Sequence, residues 1–246
     1  MIPAISYLLA ITLAESITVF VHPVWGIACH MGILTLVIVH AALDISYPHR
    51  PLLLSLALVP LVRTISLSMP LANIPQIWWY PIIYAPLLMG AIVVTRILHY
   101  KRGELGLTVK SFWVQLAVGL TGLFFGVIEY LILRPEPLVA RFAWQEIWLP
   151  TLILLVCTGF VEEFIFRGVL QHSAVEAFGW RGVIYISLLY AILHMGFFSW
   201  INVIFVFVVA LAFGWVVKKT GSLLGVILSH GITSVISYLV VPFLLT

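Results

Sequence analysis

Nine apolar stretches, each close to 20 residues long, divide this chain: 2–21, 24–43, 52–69, 79–98, 113–133, 147–170, 183–198, 200–217 and 222–243. About 20 apolar residues is the length of helix that crosses the hydrocarbon of a bilayer. The runs predict an all-α fold, a polytopic membrane helix bundle of eight or nine transmembrane helices, with a soft boundary between the seventh and eighth at Ser199. Only 9% of the 246 residues are charged, against about 25% in a soluble domain. Mean hydropathy is +1.19, so the chain is read as an integral membrane protein. The longest polar stretch, 99–111, is too short for a soluble domain. The first run has no basic residues ahead of it and is interrupted by Glu15, so it reads as a span rather than a cleaved leader.

The basic residues orient the spans. Arg50, then Lys101, Arg102 and Lys110, then Arg181, then Lys218 and Lys219 fall in alternate loops, whereas the other loops hold only Arg134 and Arg141 beside Glu136 and Glu146. The positive-inside rule makes the first set cytoplasmic and puts both termini outside. Trp78, Trp79 and Tyr80, and again Trp144 and Trp148, sit where an interfacial belt belongs. A net charge of +3, confined to short loops, gives no footprint for nucleic acid. Cys29 and Cys157 read as buried thiols.

Against this background the segment 159–171, Gly-Phe-Val-Glu-Glu-Phe-Ile-Phe-Arg-Gly-Val-Leu-Gln, stands out. A charge at the centre of a membrane helix costs roughly 2.5–3.5 kcal/mol, so Glu162, Glu163 and Arg167 mark a site. Glu163 and Arg167 are i and i+4 with the acid first, the favourable order for an ion pair. Tyr190 and His194 share that spacing on the seventh run, as do His230 and Ser234 on the ninth. Counted from the cytoplasmic helix ends, Glu163, His194 and His230 lie at similar depth. A carboxylate with no neutralising partner takes a proton from water. A second carboxylate, locked to an arginine, holds the geometry. Imidazoles and a hydroxyl donate hydrogen bonds to a developing oxyanion. Together these are the groups needed for attack of water on an amide.

Other intramembrane hydrolases are excluded by residue type. An aspartyl dyad needs two aspartates, and Asp44 is the only one. The runs His-Glu-x-x-His and Gly-x-Ser-x-Gly are absent.

The pattern resembles the CAAX prenyl protease and bacteriocin-processing (Abi) family of intramembrane glutamic proteases. Glu-Glu-x-x-x-Arg is matched by Glu162, Glu163 and Arg167; Phe-x-x-x-His appears as Tyr190 to His194; and His followed four residues later by Asn or a small polar residue appears as His230 and Ser234. The resemblance covers 147–243, and it divides the chain into N-terminal transmembrane helices, 1–133, and a catalytic core, 147–246. It implies that Glu162 activates water, that Glu163 and Arg167 orient the site, that His194 positions the water, and that His230 and Ser234 form the oxyanion hole. It implies a protein or peptide substrate at the membrane. Short loops without an added domain point to a prokaryotic plasma membrane, and no cofactor is expected. Tyr190 in place of Phe and Ser234 in place of Asn are departures from the family pattern.

Three other readings use the same residues. A non-catalytic scaffold or chaperone would keep the fold without the chemistry. A proton-coupled transporter would use the acids and histidines as a relay, although a fixed Glu163–Arg167 pair titrates poorly and no inverted repeat is visible. A metal-dependent peptidase would let the two acids and two histidines hold zinc. Outside the constellation, Glu15 and Arg63 are deep enough to pair, Arg96 and Asp44 sit at helix ends, and His30 and His40 fall on different helix faces and do not read as a metal pair.

Overall fold

A computed structural model describes residues 2–44 and 49–245. Helix accounts for 81% of the described residues, and no strand occurs among them, so the protein is all-α. Nine helical stretches among those residues are long and apolar enough to cross a membrane, and they coincide with the nine apolar runs to within a few residues at most ends.

The helices are α1 (Ile2–Phe20), α2 (Pro23–Leu43), α3 (His49–Leu56), α4 (Leu58–Ser68), α5 (Trp79–Ile97), α6 (Phe112–Leu133), α7 (Trp144–Leu154), α8 (Gln171–Phe178), α9 (Trp180–Ile192), α10 (Trp200–Thr220) and α11 (Leu224–Val235). The third span is two helices, α3 and α4, joined at Ala57. The largest departure from the sequence reading is the sixth span. It runs from Trp144 to Phe178 rather than 147–170. The apolar run stops at 170, just ahead of Gln171, Ser173 and Glu176. Yet Gln171 and Ser173 are buried, with Gln171 Nε2 donating to the Gly214 carbonyl at 3.0 Å. The helix continues until Gly179, whose φ of +58° a side chain would oppose. Glu163 is therefore 15 residues from the end of its helix, at Phe178, so distance from a helix end does not measure its depth.

The chain forms two compact units. The first contains Met1–Met69, Leu87–Tyr100 and Val169–Trp215. Here α1 packs on α2, and α2 also meets α3 and α4. Its interior holds a buried charge cluster. Arg63 of α4 grips Glu15 of α1 through both carboxylate oxygens, Nε to Oε1 and Nη2 to Oε2, the latter at 2.6 Å. His30 Nε2 of α2 stands 3.0 Å from the same Oε1. Glu15 and His30 are fully buried, so the Glu15–Arg63 pairing is made where it ties three helices together. His40 meets the Tyr7 hydroxyl at 3.0 Å. Ser173 is 2.7 Å from Ser55 Oγ and 2.8 Å from the Tyr100 hydroxyl.

The second unit contains Pro70–Pro86, Lys101–Gly168 and Val216–Thr246. Its centre is α11, packed against α6 and against the helix that carries Glu162. Helices in lipid associate through close packing and polar contacts rather than by expelling water, and both are present. Buried Gln115 of α6 accepts from the Gly225 N–H at 2.7 Å, satisfying an end group of α11. Thr121 and Ser229 are 2.9 Å apart. On the other side of α11 glycine faces glycine. A Cβ on Gly159 would lie 2.7 Å from the Ile227 carbonyl oxygen and 3.1 Å from Gly231 Cα. Hydrogen is the largest substituent this crossing accepts.

Candidate active site

The acids sit on an unusual stretch of helix. After α7 the backbone widens into π geometry over Leu155–Glu162 and again over Phe164–Leu170. Such turns are rare and occur disproportionately at functional sites. The glycine crossing brings this stretch against α11, and His230 reaches across.

His230 bridges the two acids. Its Nδ1 is 2.8 Å from Glu163 Oε1, and its Nε2 is 4.0 Å from Glu162 Oε2. An ionised carboxylate only accepts, so Nδ1 carries the hydrogen, and in the neutral ring Nε2 presents its lone pair to Glu162. The other oxygen of Glu163 pairs with Arg167 Nε at 3.2 Å, off the line of a good hydrogen bond. Glu163 and Arg167 are thus a sealed pair, with side chains 0% and 2% exposed. Glu162 and His230 are 16% and 18% exposed. Access to the centre falls on the Glu162–His230 side. Ser234, one turn beyond His230, is buried with its hydroxyl 2.9 Å from that of Thr158. Thr158 also contacts the Leu154 carbonyl at 2.7 Å.

His194 belongs to the first unit. Sequence periodicity puts it inside a helix, but α9 ends at Ile192 and His194 stands in the turn beyond, before a short 3₁₀ turn at Met195–Phe197. Its Nδ1 meets the Tyr190 carbonyl at 2.8 Å, and a carbonyl only accepts, so Nδ1 is the protonated nitrogen. The Tyr190 ring lies 4.7 Å from the imidazole. The i, i+4 spacing is therefore realised by the Tyr190 backbone carbonyl and ring.

Three neighbours of the site were not placed there by the sequence; of these, Glu129 reads only as one more intramembrane polar residue. Tyr84 of α5 donates its phenol hydrogen to Glu162 Oε1. Thr158 holds Ser234. Glu129 of α6 interacts electrostatically with both Glu162 and His230, with one carboxylate oxygen buried and without a hydrogen-bond partner. Signals existed for two of them. Tyr80 and Tyr84 repeat the i, i+4 spacing on the fourth run, and Glu129 is a lone carboxylate within an apolar run. No group of three or more His, Cys, Asp or Glu among the described residues is arranged to hold a metal ion.

The fold and this centre define a class: a polytopic membrane protein with paired carboxylates, an imidazole and a guanidinium set within its helices. Residues 143–236 match the family model described as type II CAAX prenyl endopeptidase, Rce1-like, and over that segment the chain is similar to the CAAX proteases. No curated protein and no solved structure matches the chain. Its nine long apolar helices among the described residues make the chain an integral membrane protein.

Proposed function

We propose that the protein is an intramembrane, glutamate-dependent peptidase that hydrolyses a peptide bond of a membrane-associated protein, either near its C-terminus or at a leader. The observation that carries this reading is the unequal treatment of two adjacent acids. Glu163 is sealed by Arg167 and His230. Glu162, on the accessible side, faces His230 Nε2 across 4.0 Å. That gap is too long for a direct hydrogen bond and fits one bridging water.

The reaction follows from these atoms. Glu162 takes a proton from water as the water oxygen bonds to the peptide carbonyl carbon. The negative charge on the carbonyl oxygen is stabilised by hydrogen-bond donors aimed at it, with Ser234 and the protonated form of His230 as candidates. The C–N bond then breaks and the proton passes from Glu162 to the leaving nitrogen. Glu163 and Arg167 touch neither water nor substrate in this scheme; they fix the His230 ring. The Tyr190–His194 motif adds His194 on sequence grounds. No cofactor has a role, and metal analysis of the purified protein tests that assignment. The setting is a prokaryotic plasma membrane, with peptide and lipid as partners.

The test is a comparison of membrane proteomes from cells with and without the protein, reading new chain termini. Termini that depend on the wild-type chain and vanish with Glu162→Gln support the proposal. A set of termini identical in all three cell lines sinks it and leaves the scaffold reading.

A further inference from the structure

We propose that Tyr84 is the positioning residue of the candidate base: its phenol anchors Oε1 of Glu162, so that Oε2 is the oxygen that receives the proton of the attacking water. This rests on the peptidase reading above and assigns separate tasks to the two oxygens of one carboxylate.

The geometry points to that division. Tyr84 Oη donates to Oε1, and Oε2 is the oxygen 4.0 Å from His230 Nε2. The terminal torsion of a glutamate is broad and roughly two-fold. A donor fixed on one oxygen removes that freedom and keeps the other turned to the water position. The donor is itself held. Tyr80, one turn earlier on α5, lies parallel to the Tyr84 ring, with centroids 6.3 Å apart and planes 13° from each other.

The choice of donor matters. Glu163 is held by a cation, which neutralises it. Glu162 is held by a neutral hydroxyl, which orients the carboxylate and leaves its charge in place. The phenol hydrogen is not transferred in the reaction. The water O–H bond breaks toward Oε2, and the phenol O–H stays whole. Tyr84 is accordingly a positioning residue rather than a catalytic one, and it lies in the fourth span, outside the 143–236 segment that matches the family model.

Tyr84→Phe tests this with the smallest possible change, because the ring and its stack on Tyr80 remain. The probe is a synthetic peptide spanning a cleavage site read from wild-type-dependent termini, assayed with the full-length protein in detergent. The expected result is a kcat lower by about 10- to 100-fold, the scale of a misaimed reacting group. KM should stay within about twofold, since the lost alignment acts in the transition state, and the melting temperature should not change. A kcat within about twofold of wild type overturns the proposal. A kcat that falls only together with the melting temperature also overturns it, because Tyr84 would then be a packing residue. Glu162→Gln is measured in parallel. If it cleaves normally, or if no wild-type-dependent terminus exists, the peptidase reading fails and takes this proposal with it. If Glu162→Gln is inactive while Tyr84→Phe turns over normally, the role of Tyr84 alone is refuted.

Discussion

His230 and Glu163 are joined at 2.8 Å although 67 positions separate them in the chain. Through this bond a neutralised acid sets which nitrogen of the imidazole faces the accessible acid. The two glutamates should therefore fail differently. Glu163→Gln removes the carboxylate that pairs with buried Arg167 and loosens His230, and removing one partner of a buried pair costs about 3–5 kcal/mol. Lower expression and a lower melting temperature in detergent are expected along with lost cleavage. Glu162→Gln keeps size and hydrogen bonding. It should fold normally and cleave at least about 100-fold more slowly, the contribution of a general base. Equal melting temperatures for the two variants would contradict the division of labour.

Ser234 offers a finer test. In Ser234→Ala, Thr158 keeps the Leu154 carbonyl as partner, so stability should change by no more than about 1 kcal/mol. If the hydroxyl serves the oxyanion, turnover falls at unchanged KM, and by less than in His230→Ala. Steady-state kinetics on the pair of variants decide the matter. An unchanged turnover number for Ser234→Ala removes it from the site.

In the first unit the Glu15–Arg63–His30 cluster should behave as a lock. Arg63→Met leaves Glu15 buried with only an imidazole beside it and should cost about 3–5 kcal/mol. Replacing Glu15 by Gln and Arg63 by Met together should cost clearly less than the sum of the single changes, because no charge is then left uncompensated. Thermal unfolding of the three variants measures this coupling. Additive losses would mean that the two residues do not share one interaction.

Gly159→Ala adds a single methyl group where the Ile227 carbonyl oxygen is already 2.7 Å from the position of its carbon. Overpacking of this kind costs typically about 1–3 kcal/mol. It should also part the helix of Glu162 and Glu163 from α11, so cleavage should fall more than stability does. Activity and melting temperature measured on one preparation check the ratio.

Much of this was legible because lipid imposes a simple rule on sequence. Apolar length set the nine spans, and the i, i+4 spacing of Glu163 and Arg167 became a contact. Depth raised a pairing of Glu15 with Arg63 only as one option, with nothing local to select it, and the fold supplies the contact. Reading failed where apolarity stops short of the helix: the sixth run ends at 170, but Gln171 and Ser173 beyond it are buried helical residues. The position of His194 was misread because periodicity does not reveal where a helix stops. Thr158 gave no sign, and Tyr84 gave only its i, i+4 spacing from Tyr80. A threonine or tyrosine in an apolar run is indistinguishable from packing until the fold brings its partner to it.

On the peptidase reading proposed above, the crossing of Gly159 and Gly231 would also separate working enzymes from decoys. A related chain can carry both glutamates, the arginine and the histidine and pass any search for the motif. If it has a side chain at the position of Gly159, its helices stand too far apart for the histidine to reach the acids. Such a chain would be a complete signature with no reaction behind it, and two hydrogen atoms, one on each glycine, would mark the difference.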